Sequence, residues 1–267
     1  HAATQVASLI NAKDSKEIIW TSGATESNNL AIKGVADFYQ RRGKHIITMS
    51  TEHKAVLDVC QHLERQGFEV TYLDPQPNGL LDVNTLQLAL RPDTILVSIM
   101  LVNNEIGVIQ PIHDIAKVVK KQGVLLHVDA AQAAGKTLID VEVMCIDLLS
   151  LSAHKFYGPK GVGILYVRRE PRVRLSSLID GGKHQSGLRS GTLPTHQIAG
   201  MGVAAELAQL NLDQELQHIT VLRDQLWCAI KDLPGISING DIEHRVPHNL
   251  NIRVNGIDGE ALMVALK

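Results

Sequence analysis

The sequence predicts an α/β fold, in which helices cover the faces of a mostly parallel β-sheet. Short apolar runs typical of strands alternate along the chain with longer amphipathic runs typical of helices. Most connections between successive strand runs exceed the roughly twelve residues that a parallel crossover needs. A chain of 267 residues, of which 45% are hydrophobic, can also bury a large core.

Seven strand-like runs define the predicted sheet. They cover residues 17–21, 45–50, 68–73, 94–100, 124–130, 147–153 and 161–167. The link between the last two runs is too short to join parallel neighbours. We therefore predict that the strand at 161–167 runs antiparallel to its predecessor, whereas the other strands are parallel.

The helical runs between these strands begin at recognisable signals. Helices are expected to start near Thr25, near Lys54, after Asp82 and at Pro111, the last one ending near Gly123. Proline is favoured in the first turn of a helix, and glycine just beyond its end. Residues 1–11 also show an amphipathic helical pattern.

The pattern changes after about Leu212. A long helix is expected at 213–232, followed by strand-like runs within 235–240 and 249–254 and a final helix. We predict that residues 1–212 form a large domain whose N-terminal part is missing. Residues 213–267 would begin a small α/β domain that is truncated, because the last helical run has no stop signal.

Composition excludes several classes of function. The net charge of −2 and the 3% aromatic content do not suit a nucleic-acid-binding surface. The sequence has no apolar run of membrane-spanning length, no signal-peptide pattern and no metal-ligand spacing of its histidines. Its three well-separated cysteines indicate reduced thiols, so we expect the cytoplasm, or the mitochondrial matrix of a eukaryote.

Polar residues follow five of the predicted strands directly. These sets occupy 22–28, 51–53, 102–105, 129–132 and 152–155. The carboxyl ends of parallel strands meet at one edge of a sheet, where open α/β folds bind ligands. We therefore expect a binding site at this edge.

The set at 22–25 joins a strand to a helix with the small residues Ser-Gly-Ala-Thr. Backbone N–H groups at a helix N-terminus bind anions, so this turn suits a phosphate; an ordinary helix cap is the alternative. The turn lacks the glycine spacings of dinucleotide and nucleoside triphosphate sites.

Lys155 follows a strand in the stretch Ser-Ala-His-Lys. A lysine fixed at a strand end can hold an aldehyde cofactor as a Schiff base. Asp129 ends another apolar strand, where burial is unfavourable unless a cation such as a protonated pyridine nitrogen faces it. Asp129 can otherwise cap the next helix.

Three further residues are candidate site residues because of their positions in the sequence. Gln132 can donate a hydrogen bond to an oxygen on the cofactor ring, and His53 can stack on the ring or move protons, unless it is structural. Thr192 lies in the glycine-rich loop 180–194 and can reach a phosphate, although the loop alone suggests only a turn. His127 is judged out of phase with the neighbours of Asp129 and receives no role.

Six stretches resemble the pyridoxal phosphate (PLP) enzymes of fold type I, and specifically the NifS/IscS-type cysteine desulfurases of the class-V aminotransferase family. They are residues 21–34, 51–58, 102–112, 127–136, 150–169 and 187–202. The resemblance extends over essentially the whole chain. It implies the fold-type-I sheet with one antiparallel strand, and PLP as the cofactor.

The resemblance also implies a role for each candidate residue. Lys155 would bind the cofactor covalently, and Asp129 and Gln132 would bond its ring nitrogen and ring hydroxyl. His53 would stack on the ring and assist proton transfer, and Asn104 would lie near cofactor and substrate. The phosphate would be held by Ala24, Thr25, Ser152 and His154. Thr192 would reach the phosphate of a partner subunit, which implies a homodimer.

The implied reaction converts L-cysteine to L-alanine. The sulfur would pass, as a persulfide on an enzyme cysteine, to iron–sulfur scaffold and tRNA-thiolation proteins. None of Cys60, Cys145 and Cys228 matches the family's nucleophilic cysteine, which is expected beyond Lys267 together with an arginine for the substrate carboxylate. The 267 residues alone are therefore not expected to turn over cysteine.

One stretch departs from the family pattern, and other functions stay open. Residues 181–187 lack the usual three glycines and Glu-Arg pair, so the contacts of this loop are open. The alternatives are a selenocysteine lyase, a small-substrate aminotransferase and a non-catalytic sulfur-transfer scaffold. The joint presence of Lys155, Asp129 and Gln132 argues against the scaffold.

Overall fold

A seven-stranded sheet forms the centre of the protein, for which a computed structural model describes residues 1–265. Its strands are β1 (Ile18–Thr21), β2 (His45–Met49), β3 (Glu69–Leu73), β4 (Thr94–Met100), β5 (Leu125–Asp129), β6 (Leu148–Ser152) and β7 (Gly163–Val167). Their order across the sheet is β1-β7-β6-β5-β4-β2-β3. The sheet contains all seven predicted strands.

Strand β7 is antiparallel to both of its neighbours, β1 and β6. The remaining neighbours, from β6 to β3, pair in parallel. The predicted fold class, a mostly parallel sheet with one antiparallel strand, is confirmed. In the register of this sheet, the first residue of β7, Gly163, lies opposite Ser152, the last residue of β6.

Helices cover both faces of the sheet. They are α1 (Ala2–Leu9), α2 (Ala24–Tyr39), α3 (Lys54–Glu64), α4 (Val83–Ala89), α5 (Ile112–Lys121), α6 (Thr195–Ile230) and α7 (Gly259–Ala265). Successive residues of a strand point to opposite faces. Leu96 and Leu148 therefore pack in one apolar cluster with residues of α2 and α3, whereas Val97 and Leu149 pack in a second with residues of α1, α5 and α6.

The start of helix α6 is not where the sequence predicts it. The prediction was 213–232, but the helix begins at Thr195 and continues to Ile230. Gly200 and Gly202 lower the helix propensity of its first turns. Packing overrides this, because a Cβ at Gly202 would lie 2.8 Å from the Cα of Ala2 on α1, so the glycine lets the two helices approach.

The division into two domains at residue 212 stays a prediction. That boundary falls inside α6, and the last two residues of the predicted small domain, 266 and 267, lie outside the described residues. After α6, β8 (Ile236–Ile238) and β9 (Ile252–Val254) form a separate antiparallel pair. The amide groups of Asn249 and Asn251 both donate to the carbonyl oxygen of Glu105, which ties this segment to the turn after β4.

The structure also shows the apolar character of the helices and the state of the three cysteines. No helix within residues 1–265 is long and apolar enough to cross a lipid bilayer. Cys60 is buried, Cys145 and Cys228 are exposed, and all three are free thiols.

Candidate functional site

The carboxyl ends of the parallel strands surround a cavity of about 430 Å³. The predicted residues that line it are Ala24, Thr25, His53, Asn104, Asp129, Gln132, Ser152, His154 and Lys155. Thr192 does not line this cavity. It borders a neighbouring groove together with Arg189. The structure therefore brings nine of the ten candidates together, although their roles remain predictions.

The turn between β1 and α2 forms one wall. Gly23 has φ 152° and ψ 177°, a region that only glycine populates readily. A Cβ at Gly163 would lie 2.6 Å from the Cα of Gly23, so Gly163 must be glycine for β7 to pass beneath the turn, whereas Gly23 is required by its own backbone conformation. The first N–H groups of α2 have no partner within the helix and can bind an anion.

An ion pair connects this turn to the loop that carries Thr192. Arg189 Nε lies 2.9 Å from Glu26 Oε1, and both side chains are largely buried. Glu26 Oε2 also accepts a hydrogen bond of 2.7 Å from the backbone N–H of Ser22. Burial opposes ionisation, but the hydrogen bonds from Arg189 and Ser22 outweigh it and lower the pKa of Glu26. This ion pair holds the loop beside the turn between β1 and α2.

Asp129 is a buried carboxylate at the end of the central strand β5, with 6% of its surface exposed. Asn28 Nδ2 donates to its Oδ2 at 2.7 Å, and the backbone N–H of Ala131 donates to its Oδ1 at 2.9 Å. Burial raises the pKa of Asp129 despite these hydrogen bonds. No cationic side chain within residues 1–265 forms a salt bridge with Asp129, so a cation inside the cavity would complete its environment.

Lys155 lies in a single turn of 3₁₀ helix, Ala153–Phe156, that follows β6 directly. The turn ends at Tyr157, whose left-handed backbone (φ 67°) reverses the chain toward β7. Ser152 Oγ and His154 Nδ1 lie 3.0 Å apart beside the lysine. Partial burial and the charges of Lys155 and Lys160 lower the pKa of His154. Lys155 itself is half-buried and borders the cavity.

His53 directly precedes α3 and acts as its N-cap. Its Nδ1 accepts a hydrogen bond of 3.0 Å from the backbone N–H of Ala55. Because a backbone N–H can only donate, Nδ1 is the unprotonated nitrogen and the neutral ring carries its proton on Nε2. The cap also restricts the orientation of the imidazole at the rim of the cavity.

Asn104 precedes Asp129 in the sequence, and Gln132 follows it. Gln132 is half-buried, and its Oε1 accepts a hydrogen bond of 3.1 Å from Lys136 Nζ. Asn104 is exposed in the turn after β4. The preceding residue, Asn103, shapes this turn, because its Oδ1 accepts from the backbone N–H groups of Glu105 and Ile106.

Glu52 is a buried acid that the sequence did not single out. Its Oε1 accepts a hydrogen bond of 2.8 Å from the backbone N–H of Met100, while its buried Oε2 has no partner within residues 1–265. Burial raises the pKa of Glu52 well above its usual range; the bond from Met100 opposes the shift, and the charge of Asp129 adds to it. Burial therefore favours the uncharged form of Glu52 in the folded protein.

Replacing Glu52 with glutamine is expected to raise the free energy of unfolding at pH 8. Glutamate ionises in the unfolded chain above its ordinary pKa of 4.5, whereas burial raises the pKa of Glu52 in the folded protein, so wild type loses stability as the pH rises from 4.5. Each pKa unit of this difference is worth about 1.4 kcal/mol. Glutamine has the shape of the protonated acid and does not ionise.

Urea unfolding followed by circular dichroism at pH 8 and pH 4 measures this difference. The stabilisation should be present at pH 8 and vanish at pH 4, and the exposed Glu105→Gln should show neither effect. A Glu52→Gln protein that is less stable than wild type at pH 8 would show that Glu52 is ionised in the fold.

Asn28 and Glu52 belong to the polar sets that the sequence placed at this edge, but they received no role there, and Lys136 was not singled out. Asn28 and Lys136 each lie three or four residues beyond a predicted site residue, and this spacing was the available signal. Glu52 gave no signal apart from its place before His53. His127 received no role, and it does not line the cavity; as a residue two positions before Asp129, it points to the same face of β5 as Asp129.

His127 is completely buried on that face. Its Nδ1 lies 2.8 Å from Ser98 Oγ on β4, and its Nε2 lies 3.0 Å from Ser150 Oγ on β6. Burial lowers the pKa of His127 to about 3, so the ring is neutral. It links three central strands by hydrogen bonds beneath Asp129.

Comparisons with known proteins agree with this architecture. The aminotransferase class-V family profile matches residues 1–267. A cysteine desulfurase IscS of Vibrio vulnificus is 58% identical over 266 residues, which cover 100% of this chain and 66% of that protein. The chain thus spans slightly less than two thirds of the length of the curated relative.

Two solved structures are also similar to this chain. A NifS-like protein superposes with a TM-score of 0.94 at 40% identity, covering 99% of this chain and 72% of that one. A structure of SspA in complex with cysteine superposes with a TM-score of 0.85 at 40% identity, covering 99% and 73% of the two chains.

Proposed function

Since the chain belongs to the class-V aminotransferase family, we propose that it is the PLP-binding part of a cysteine desulfurase. The observation that carries the proposal is the buried carboxylate of Asp129, without a cationic partner within residues 1–265, in the same cavity as Lys155. The names of the relatives support cysteine as the substrate.

The residues of the cavity fit PLP. A pyridinium nitrogen would supply the cation that Asp129 lacks, and a buried oxygen of its neighbour, Asn28 Oδ1, also has no partner within residues 1–265. The N-terminus of α2 suits the phosphate, and Lys155 suits the aldehyde. When bound, PLP supplies an electron sink that stabilises negative charge on the substrate carbon.

The protein's own residues would orient and polarise the cofactor. The hydrogen bonds from Asn28 and Ala131 hold the carboxylate of Asp129, so that it can keep the ring nitrogen protonated. The backbone of Ala24 and Thr25 would bind the phosphate, together with the Ser152 and His154 side chains. Gln132 would donate to the ring oxygen.

Two residues are assigned to proton movement. We assign Lys155 Nζ as the base that moves the proton from the Cα of the substrate, because it borders the cavity and is half-buried. His53 would stack on the ring, with Nε2–H as the donor that its helix cap leaves free. Asn104, in the exposed turn, would contact the substrate.

None of the three cysteines of this chain is assigned the persulfide. Burial raises the pKa of the Cys60 thiol to about 12, which suppresses the nucleophilic thiolate. Cys145 and Cys228 are exposed, and neither lines the cavity. The sulfur step therefore needs a cysteine other than these three.

The partners and the compartment are part of the proposal. We propose a homodimer in which Thr192 reaches the phosphate in the partner subunit, and its position outside the cavity supports this. Iron–sulfur scaffold and tRNA-thiolation proteins would accept the sulfur. The three free thiols support a reducing compartment such as the cytoplasm.

Sulfide release by the whole protein tests the proposed function. With PLP, L-cysteine and a thiol reductant, equal amounts of sulfide and alanine are expected, and the Lys155→Ala protein should form neither. Turnover of selenocysteine without turnover of cysteine would identify a selenocysteine lyase instead. Amino-group transfer to a 2-oxo acid without sulfide would identify an aminotransferase.

A further inference from the structure

Lys136 is a half-buried cation next to the cavity. Its Nζ lies 3.1 Å from Gln132 Oε1, and none of the salt bridges within residues 1–265 involves it. Burial and the charge of Lys155 lower its pKa. On its other side, Lys136 borders an apolar cavity of about 250 Å³ together with Glu215 and His248. A lysine without a carboxylate partner in such a place suggests a role beyond the surface charge.

The contact with Lys136 determines the orientation of the Gln132 amide. An ammonium group has three donors and no acceptor, so it can bond only the carbonyl oxygen of that amide. The opposite amide orientation would bring two donors together. Gln132 therefore has its Oε1 engaged by Lys136, and its Nε2 is the group left to donate within the cavity.

We propose that Lys136 is a positioning residue that fixes the Gln132 amide, so that Nε2 donates to the ring oxygen of PLP, and that its charge also acts on the Lys155 linkage. This inference rests on the proposed function. A donor at the ring oxygen stabilises the ionised oxygen, and a nearby cation disfavours a second positive charge on the linkage nitrogen. Both effects lower the pH at which the linkage loses its proton.

The pH dependence of the visible absorption of the PLP-loaded protein tests this inference without measuring turnover. Lys136→Met removes both the donor and the charge, and we expect the midpoint of the spectral change to rise by roughly 0.5 to 1 pH unit. Lys136→Arg keeps both properties and should retain the wild-type midpoint. Lys136→Gln keeps a donor but not the charge, and its midpoint should lie between those of wild type and Lys136→Met.

A second lysine variant controls for loss of stability. Lys120 pairs with the buried Asp147. Lys120→Met should therefore lower the thermal unfolding temperature, yet leave the spectral midpoint unchanged. If Lys120→Met shifts the midpoint as Lys136→Met does, the shift reflects stability and the inference is wrong.

The remaining outcomes separate the inference from the proposed function. A protein that binds PLP, but whose midpoint does not rise in Lys136→Met, contradicts the role of Lys136 alone. Equal midpoints for Lys136→Gln and Lys136→Met assign the effect to charge and contradict the positioning of Gln132. Wild-type protein without a PLP absorption band contradicts the proposed function itself.

Discussion

Replacing Lys155 with alanine is expected to abolish covalent capture of PLP and, in the whole protein, to lower the rate of cysteine consumption at least about a thousandfold. The variant removes the only side chain that we assign both as covalent anchor and as base. Positioned acid–base groups alone contribute about 10² to 10⁴ in rate, and the loss of the anchor adds to this. The visible absorption band and the initial rate of sulfide release measure the two effects.

Lys160 offers a matched control for this variant. It lies five residues away, beyond the same turn, and is exposed. Lys160→Ala should retain covalent capture. If Lys155→Ala keeps the band, or if Lys160→Ala loses it, then the anchoring lysine has been assigned wrongly.

Replacing Asp129 with asparagine is expected to lower the rate of the whole protein by about two to four orders of magnitude. The substitution keeps the size of the side chain but removes the charge that would hold the ring nitrogen protonated. Loss of one partner of a buried ion pair costs about 3–5 kcal/mol, which corresponds to this change in rate.

The same substitution should have the opposite effect on stability without the cofactor. Burial raises the pKa of Asp129 above its ordinary value of 3.8, so the cofactor-free wild type loses stability as the pH rises from that value. An asparagine side chain does not ionise, and cofactor-free Asp129→Asn should therefore be more stable than wild type at pH 8. At pH 3 the two proteins should be similar.

Urea unfolding of the cofactor-free proteins, combined with rates in saturating PLP, checks both halves of this prediction. Asp232→Asn, at an exposed aspartate after α6, should change neither quantity. A destabilised Asp129→Asn protein would mean that the carboxylate already has a cationic partner in the fold. A nearly unchanged rate would mean that it does not face the ring nitrogen.

The strands and the shared edge were predictable because they follow from local patterns. Each apolar run forms a strand, and the short link after Lys155 requires β7 to be antiparallel. The start of α6 was not predictable from propensity, because the glycines in its first turns are compensated by contacts with α1, which lies almost two hundred residues away in the sequence.

The contacts of Asn28 and Glu52 could not be predicted for a similar reason. Asn28 contacts Asp129 across 101 positions of sequence, and Glu52 bonds the end of a strand 48 positions away. Local spacing shows that Asn28 lies on the inner face of α2, but not which acid it meets. Gln132 lies four residues before Lys136, so the contact between them is the one that local spacing could have revealed.

Chemical mapping of the attachment site tests the central claim most directly. The PLP-loaded protein is reduced with borohydride, which makes the covalent link permanent, then digested and analysed by mass spectrometry. Our account predicts one phosphopyridoxyl group, on the peptide that contains Lys155. Attachment at Lys136, at Lys160 or at scattered surface lysines would contradict it.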